Sequence, residues 1–235
     1  MTMNTAHHNP LQHPLGAWFA YSASALFIVA LVTLGQAIGW PGILREPPAT
    51  VFPRIHANHV AMLAGYACYL LSSLALVPVA LALREKLLAG GVSTIVVDAV
   101  TFFGLAGAIF KALGIVRWLI GMPGLAAQYM ESTSQSEREV LEVAYLTLNG
   151  YAGSVGELLG VQLTGGIWML GISICVLRRF GRRWVSALGI LSGLGFIVLT
   201  ARIFVTEVAA LQSFVNPIGL AWVIALGWTM SRRSS

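Results

Sequence analysis

Six stretches of this chain are apolar for long enough to cross a bilayer, and that repetition limits the fold more than any motif in it. A hydrocarbon core of about 30 Å takes about 20 apolar residues per helical crossing, and inside it every backbone N–H and C=O must be bonded internally. Runs of that length, bounded by charge, Pro or Gly, lie at approximately 15–39, 59–83, 92–121, 153–177, 184–205 and 209–230. They predict an all-α, polytopic transmembrane bundle of about six spans, forming one integral membrane domain over residues 1–235. With 57% hydrophobic and 10% charged residues and a mean hydropathy of +0.79, a water-soluble domain is excluded. The first run is too long for a secretory signal, and "MTMNTAHHNPLQHP" before it holds no Lys or Arg, so it is expected to be a retained span.

The net charge of +5 does not form one basic face, which argues against nucleic acid as a partner. It is grouped by loop instead. Arg84 and Lys86 follow the second span, Arg178, Arg179, Arg182 and Arg183 the fourth, and Arg232 and Arg233 the sixth; alternating spans place all of them on one side. The other side carries Glu46, Glu131, Glu137, Glu139 and Glu142 with Arg45, Arg54 and Arg138. By the positive-inside rule both termini are cytoplasmic and the protein belongs in a cell inner membrane. The "RRFGRR" turn is the strongest orientation mark and is read as an insertion signal and lipid-phosphate anchor. Cys68 and Cys175 both fall within spans, at heights that differ by roughly 20 Å, too far for a disulfide.

Between the third and fourth runs lies the one long segment outside the membrane. It opens on a Pro123–Gly124 break. Ser134 followed by Glu137 has the form of a capping box, and Val140, Leu141, Ala144, Tyr145 and Leu148 then recur at helical spacing, so an amphipathic helix is expected over 134–149. Two arrangements are open: a helix lying over the mouth of the bundle, interrupted near Asn149 and Gly150, or an extension of a continuous fourth helix. Gly104 and Gly107, Gly156 and Gly160, and Gly189 and Gly193 mark close helix contacts.

Charge inside the spans is the feature that bears on function. Lys111 shares a helix face with Gly104, Gly107, Gly114 and Trp118, and Glu157 shares one with Gly150, Gly153, Gly160 and Thr164. Each lies about 21 residues, or about 31 Å of helix, from the cytoplasmic end of its span. A Lys111–Glu157 ion pair is therefore expected in the outward half. The same depth holds His59 and Tyr66 on span two, Arg117 at the end of span three, and Arg202 and Glu207 at the end of span five. Ser186, Gly193, Thr200 and Glu207 recur every seven residues, as do His59, Tyr66 and Ser73.

Lys111, Glu157, His59, Tyr66, Arg117, Arg202 and Glu207 thus form a candidate ligand-binding cluster, with a purely structural ion-pair network as the competing reading. His56 and His59 are weak metal candidates, with Glu157 or Glu207 as a third ligand. The tail histidines His7, His8 and His13 are too irregularly spaced for a metal site, and no second deep histidine exists for a haem. No cofactor is indicated. Asp98, in the inner part of span three, is expected to pair with a loop arginine, with a place in a proton path as the alternative.

The stretches "HANHVAMLAGYACYLLSSLALVPVALALREKL" and "TGGIWMLGISICVLRRFGRRWVSALGILSGLGFIV" resemble a widespread bacterial group of multi-pass membrane proteins known only as a domain of unknown function. The resemblance is carried by His59, by Gly166 to Trp168 before the "LRR" stop, and by Trp184 followed by spaced glycines, and it extends over most of the chain. It implies a six-helix or similar bundle and no activity or catalytic residue.

The expectation is a membrane protein that binds a small or lipid-like ligand in an outward-facing polar pocket, or serves as an accessory subunit of a membrane complex. Its partners are membrane lipid, that ligand, and another membrane protein or a second copy through the glycine faces. A transporter needs polar lining through both leaflets, and the inner half offers chiefly Asp98. A membrane-embedded metal-dependent enzyme can draw only on His56, His59, Glu157 and Glu207.

Overall fold

A computed structural model describes residues 11–232; His7, His8 and Arg233 lie outside the described residues. The helices are α1 (Pro14–Ile38), α2 (Pro48–Ala57), α3 (His59–Ala89), α4 (Thr94–Leu119), α5 (Gly121–Glu131), α6 (Gln135–Ser154), α7 (Gly166–Phe180), α8 (Arg183–Leu199) and α9 (Gln212–Ser231). A π-helix, Val155–Gly165, joins α6 to α7, and short 3-10 turns occupy Gly42–Arg45, Thr200–Ile203 and Thr206–Leu211. Among the described residues there is no strand. Six helical segments are long and apolar enough to span a membrane: Pro14–Ile38, His59–Ala89, Thr94–Glu131, Gln135–Phe180, Arg183–Ile203 and Thr206–Ser231.

Local chemistry sets several of the ends. Pro14 opens α1, where its missing N–H costs nothing, and the His13 imidazole Nδ1 accepts from Gly16 N at 2.9 Å. The "RRFGRR" turn is tight because Gly181 closes α7 at φ +63°, a left-handed conformation that a side chain disfavours. Pro123 does not break the chain. The bend falls at Ile120 instead, and Pro123 sits in the first turn of α5, where proline is tolerated.

The spans form a closed up-and-down ring in which each packs on the next in sequence and α9 returns to α1. Closure is tied at both ends. The His13 backbone N–H donates to Met230 O at 2.9 Å, and Arg45 Nη2 donates to Gln212 Oε1 at 3.5 Å. One end carries Arg84, Lys86, the "RRFGRR" turn and Arg232, and is called the arginine end. At the other, α2 and α5 pack across the helix termini and α6 rises beside them, with Phe52 against Tyr129 and Tyr145 at ring distances of 4.7 and 5.3 Å. This is the capped end.

Glycines bring α4 against the π-helix. A side-chain carbon on Gly114 would lie 2.5 Å from Gly156 Cα, and one on Gly160 would lie 2.6 Å from Lys111 N. The predicted pairs Gly104 and Gly107, Gly156 and Gly160, and Gly189 and Gly193 all sit at such contacts. Cys68 and Cys175 are free thiols.

The fourth span starts well before the expected 153, and of the two open arrangements the structure takes the extension of a continuous fourth helix. Helix runs without a break over the 46 residues Gln135–Phe180. Asn149 makes no local turn because its side chain is engaged sideways, donating to Leu44 O and accepting from Arg117. Gly150 lacks the positive φ that a turn would need. Leu141 and Tyr145 are buried against the cap, whereas Val140 is 66% exposed. The capping box is half formed: Ser134 Oγ accepts from Glu137 N at 3.4 Å, but the Glu137 carboxylate accepts from Ser132 Oγ at 2.6 Å.

Candidate functional site at the capped end

The π-helix decides where Glu157 points. Thr164 Oγ1 donates to Leu159 O, five residues back, at 2.6 Å, and lies 3.1 Å from Gly160 O. The wider turn advances fewer degrees per residue than an α-helix, so side chains beyond Ser154 leave the phase of a regular wheel. Gly156 and Gly160 face α4. Glu157 turns away from it, toward the start of α9 and the 3-10 turn after α8.

The Lys111–Glu157 ion pair does not form. Glu157 Oε1 accepts from Arg202 Nη1 at 2.7 Å and from Gln212 Nε2 at 2.8 Å. Gln212 accepts in turn from Arg45. Gln162, 1% exposed, completes the group when its amide is oriented to donate to Leu199 O at 3.2 Å and to accept from Arg202 Nη1 at 3.3 Å. The Glu157 and Arg202 side chains remain 30% and 20% exposed, so the pair borders a surface that solvent-sized molecules reach.

A second group stands beside it. Arg117 donates through Nη1 to Gly114 O and through Nε to Asn149 Oδ1 at 3.3 Å, and Asn149 Nδ2 donates to Leu44 O at 3.3 Å. Gly153 leaves room for the guanidinium, since a side-chain carbon there would lie 3.3 Å from Arg117 Nη2. The 3-10 turn after α1 joins the two groups through adjacent residues, Leu44 accepting from one and Arg45 donating to the other.

Lys111 turns the opposite way from Glu157, toward α1 and α3. Its Nζ lies 4.6 Å from the Tyr69 ring centre and 5.6 Å from that of Phe27. Among the described residues no carboxylate oxygen lies within 4.0 Å of it. Tyr66 is 1% exposed and stacks on Trp118 at 5.0 Å with an interplanar angle of 10°. Its hydroxyl has no hydrogen-bond partner among the described residues.

His59 and Glu207 stand outside these groups. His59 is exposed at the first turn of α3 and lines, with His56, Ile55, Pro123 and Ala127, a cavity of about 340 Å³ between α2 and α5. Glu207 is exposed on a 3-10 turn. The seven-residue spacing that leads to it crosses the end of α8 at Leu199, so the helical phase is lost before it arrives. Among the described residues no three His, Cys, Asp or Glu side chains stand together as a metal site. Asp98 does meet an arginine: Arg84 Nε donates to its Oδ1 at 2.7 Å, from the last turns of α3 instead of from a loop.

Sequence reasoning missed Gln212, Arg45, Gln162, Asn149, Tyr69 and Phe27. Gln162 carried a readable signal, an amide in the middle of an apolar run. Arg45 and Gln212 carried none, being 167 residues apart in chain segments that look like ordinary loops and helix starts.

A ring of six apolar helices holding hydrogen-bonded charge inside one end is a multi-pass integral membrane protein. Over residues 16–230 the sequence matches the family described as Domain of unknown function (DUF4386), and the chain belongs to that family. No curated protein and no solved structure matches the chain.

Proposed function

We propose that the protein binds the anionic head, a carboxylate or a phosphate, of a small amphiphile at the capped end of the bundle. The carrying observation is Lys111, an ammonium within a membrane span that faces two aromatic rings and no carboxylate. Leaving a charge in that state costs free energy that an incoming anion recovers. Lys111, Arg117 and Arg202 together set three cations against Glu157, and Glu157 is already taken by Arg202 and Gln212. The partial exposure of Glu157 and Arg202 supports access from that end. We place the arginine end in the cytoplasm of a bacterial inner membrane, with the ligand reaching the capped end from the other side.

The test is a titration of the detergent-purified protein with decanoate and with decanol, followed by its melting temperature. Decanoate is expected to raise it and decanol is not, and Lys111→Met is expected to remove the difference. Equal responses to acid and alcohol would refute the reading.

A further inference from the structure

At the arginine end a second feature lies on the outer surface of the bundle. A groove of about 550 Å³ runs between α7 and α8, lined by Leu177, Arg183, Ala187, Ile190, Leu191 and Leu194. The α8 residues recur at helical spacing on one stripe, and Ala187 supplies the hollow because its larger neighbours do not fill it. We propose that this groove binds an anionic phospholipid of the leaflet at the arginine end, one acyl chain lying along the stripe and the phosphate at Arg183.

Its length fits. From Arg183 to Leu194 the helix rises about 17 Å, close to half of a hydrocarbon core of about 30 Å. The groove therefore spans one leaflet, with its single charged lining residue at the membrane surface and only apolar side chains further in. The level of that surface is marked independently. Trp184, next to Arg183, is 49% exposed and meets Trp228 edge-on at 5.4 Å, the placement of interfacial tryptophans.

The charge also fits. Arg183 is exposed and makes no ion pair among the described residues, and Arg178 and Arg179 nearby make none. The carboxylates at this end are engaged elsewhere, Asp98 with Arg84 and Glu85 with His13. A cation at the mouth of an apolar groove selects a phosphate with net negative charge over a zwitterionic head, whose own ammonium opposes the contact. The groove lies at the opposite end of the bundle from Glu157 and does not rest on the reading of that centre.

Native mass spectrometry of the detergent-purified protein tests the proposal, using dioleoyl phosphatidylglycerol and dioleoyl phosphatidylcholine as probes. One retained phosphatidylglycerol is expected in preference to phosphatidylcholine. Arg183→Gln is expected to weaken its retention by about five-fold, the effect of one basic residue near a surface phosphate. Ala187→Phe, which fills the hollow on an exposed face, is expected to abolish it, while Lys86→Gln at the same end leaves it unchanged. Equal retention of the two lipids, or equal losses for Arg183→Gln and Lys86→Gln, would overturn it. So would a protein dimer that Ala187→Phe dissociates, since the groove would then hold a second copy.

Discussion

Arg202 and Glu157, 45 residues apart in the chain, meet at 2.7 Å where the π-helix faces the 3-10 turn after α8. Gln212 reaches the same carboxylate oxygen from α9, so three spans are joined at one atom. Partly shielded from solvent, such a group holds helices together because water competes less for its bonds.

Removing one partner should therefore cost more than removing both. Arg202→Met is expected to destabilise the detergent-solubilised protein by about 1–3 kcal/mol, the range for a lost hydrogen bond to a charged group that keeps some solvent contact. Adding Glu157→Gln is expected to return part of that loss, giving a coupling of about 1 kcal/mol in a double-mutant cycle of thermal or denaturant unfolding. Strict additivity would mean that the two side chains do not touch.

Lys111 should behave in the opposite way. With aromatic faces but no carboxylate around it, replacement by the apolar isostere in Lys111→Met is expected to leave the melting temperature unchanged or raise it. Combined with Glu157→Gln, its effect is expected to be additive within about 0.5 kcal/mol. A coupled response would place the pair in contact after all.

The glycines divide by what surrounds them. Gly114→Val drives a branched side chain into the Gly156 backbone, and should destabilise by about 1–3 kcal/mol or more and impair assembly of the fold. Gly150 has nothing within 4 Å of a would-be side chain and lies inside a continuous helix. Gly150→Ala is therefore expected to stabilise by about 0.5–1 kcal/mol. Loss of stability there would show that the chain turns at Gly150.

The Arg84–Asp98 pair is short but not enclosed, its side chains 39% and 47% exposed near the arginine end of α3 and α4. Asp98→Asn is expected to change stability by less than about 1 kcal/mol. A larger loss in denaturant unfolding would assign Asp98 more than a surface ion pair.

Much of the fold was legible because the bilayer imposes a one-dimensional rule: a helix must bond its own backbone across a fixed thickness, so the length of each apolar run announces a span. The clustering of arginines at alternate loops and the small-residue faces of α4 and the π-helix followed from the same reasoning. Of the candidate residues, Glu157 meets Arg202 and Tyr66 stacks on Trp118 beside Arg117 toward the capped end, while Lys111 lies deeper, against Phe27 at the middle of α1; depth is counted along a single axis, but side-chain direction is not.

Partner choice depends instead on rotation, and rotation was lost twice. The π-helix turned Glu157 away from Lys111, and the 3-10 turns after α8 let Arg202 swing inward while leaving Glu207 outside. Ring closure then set Arg45 beside Gln212 across 167 residues, a proximity that no periodicity encodes. Span number and depth are properties of a segment alone, whereas which charge answers which is fixed only when all the segments have packed.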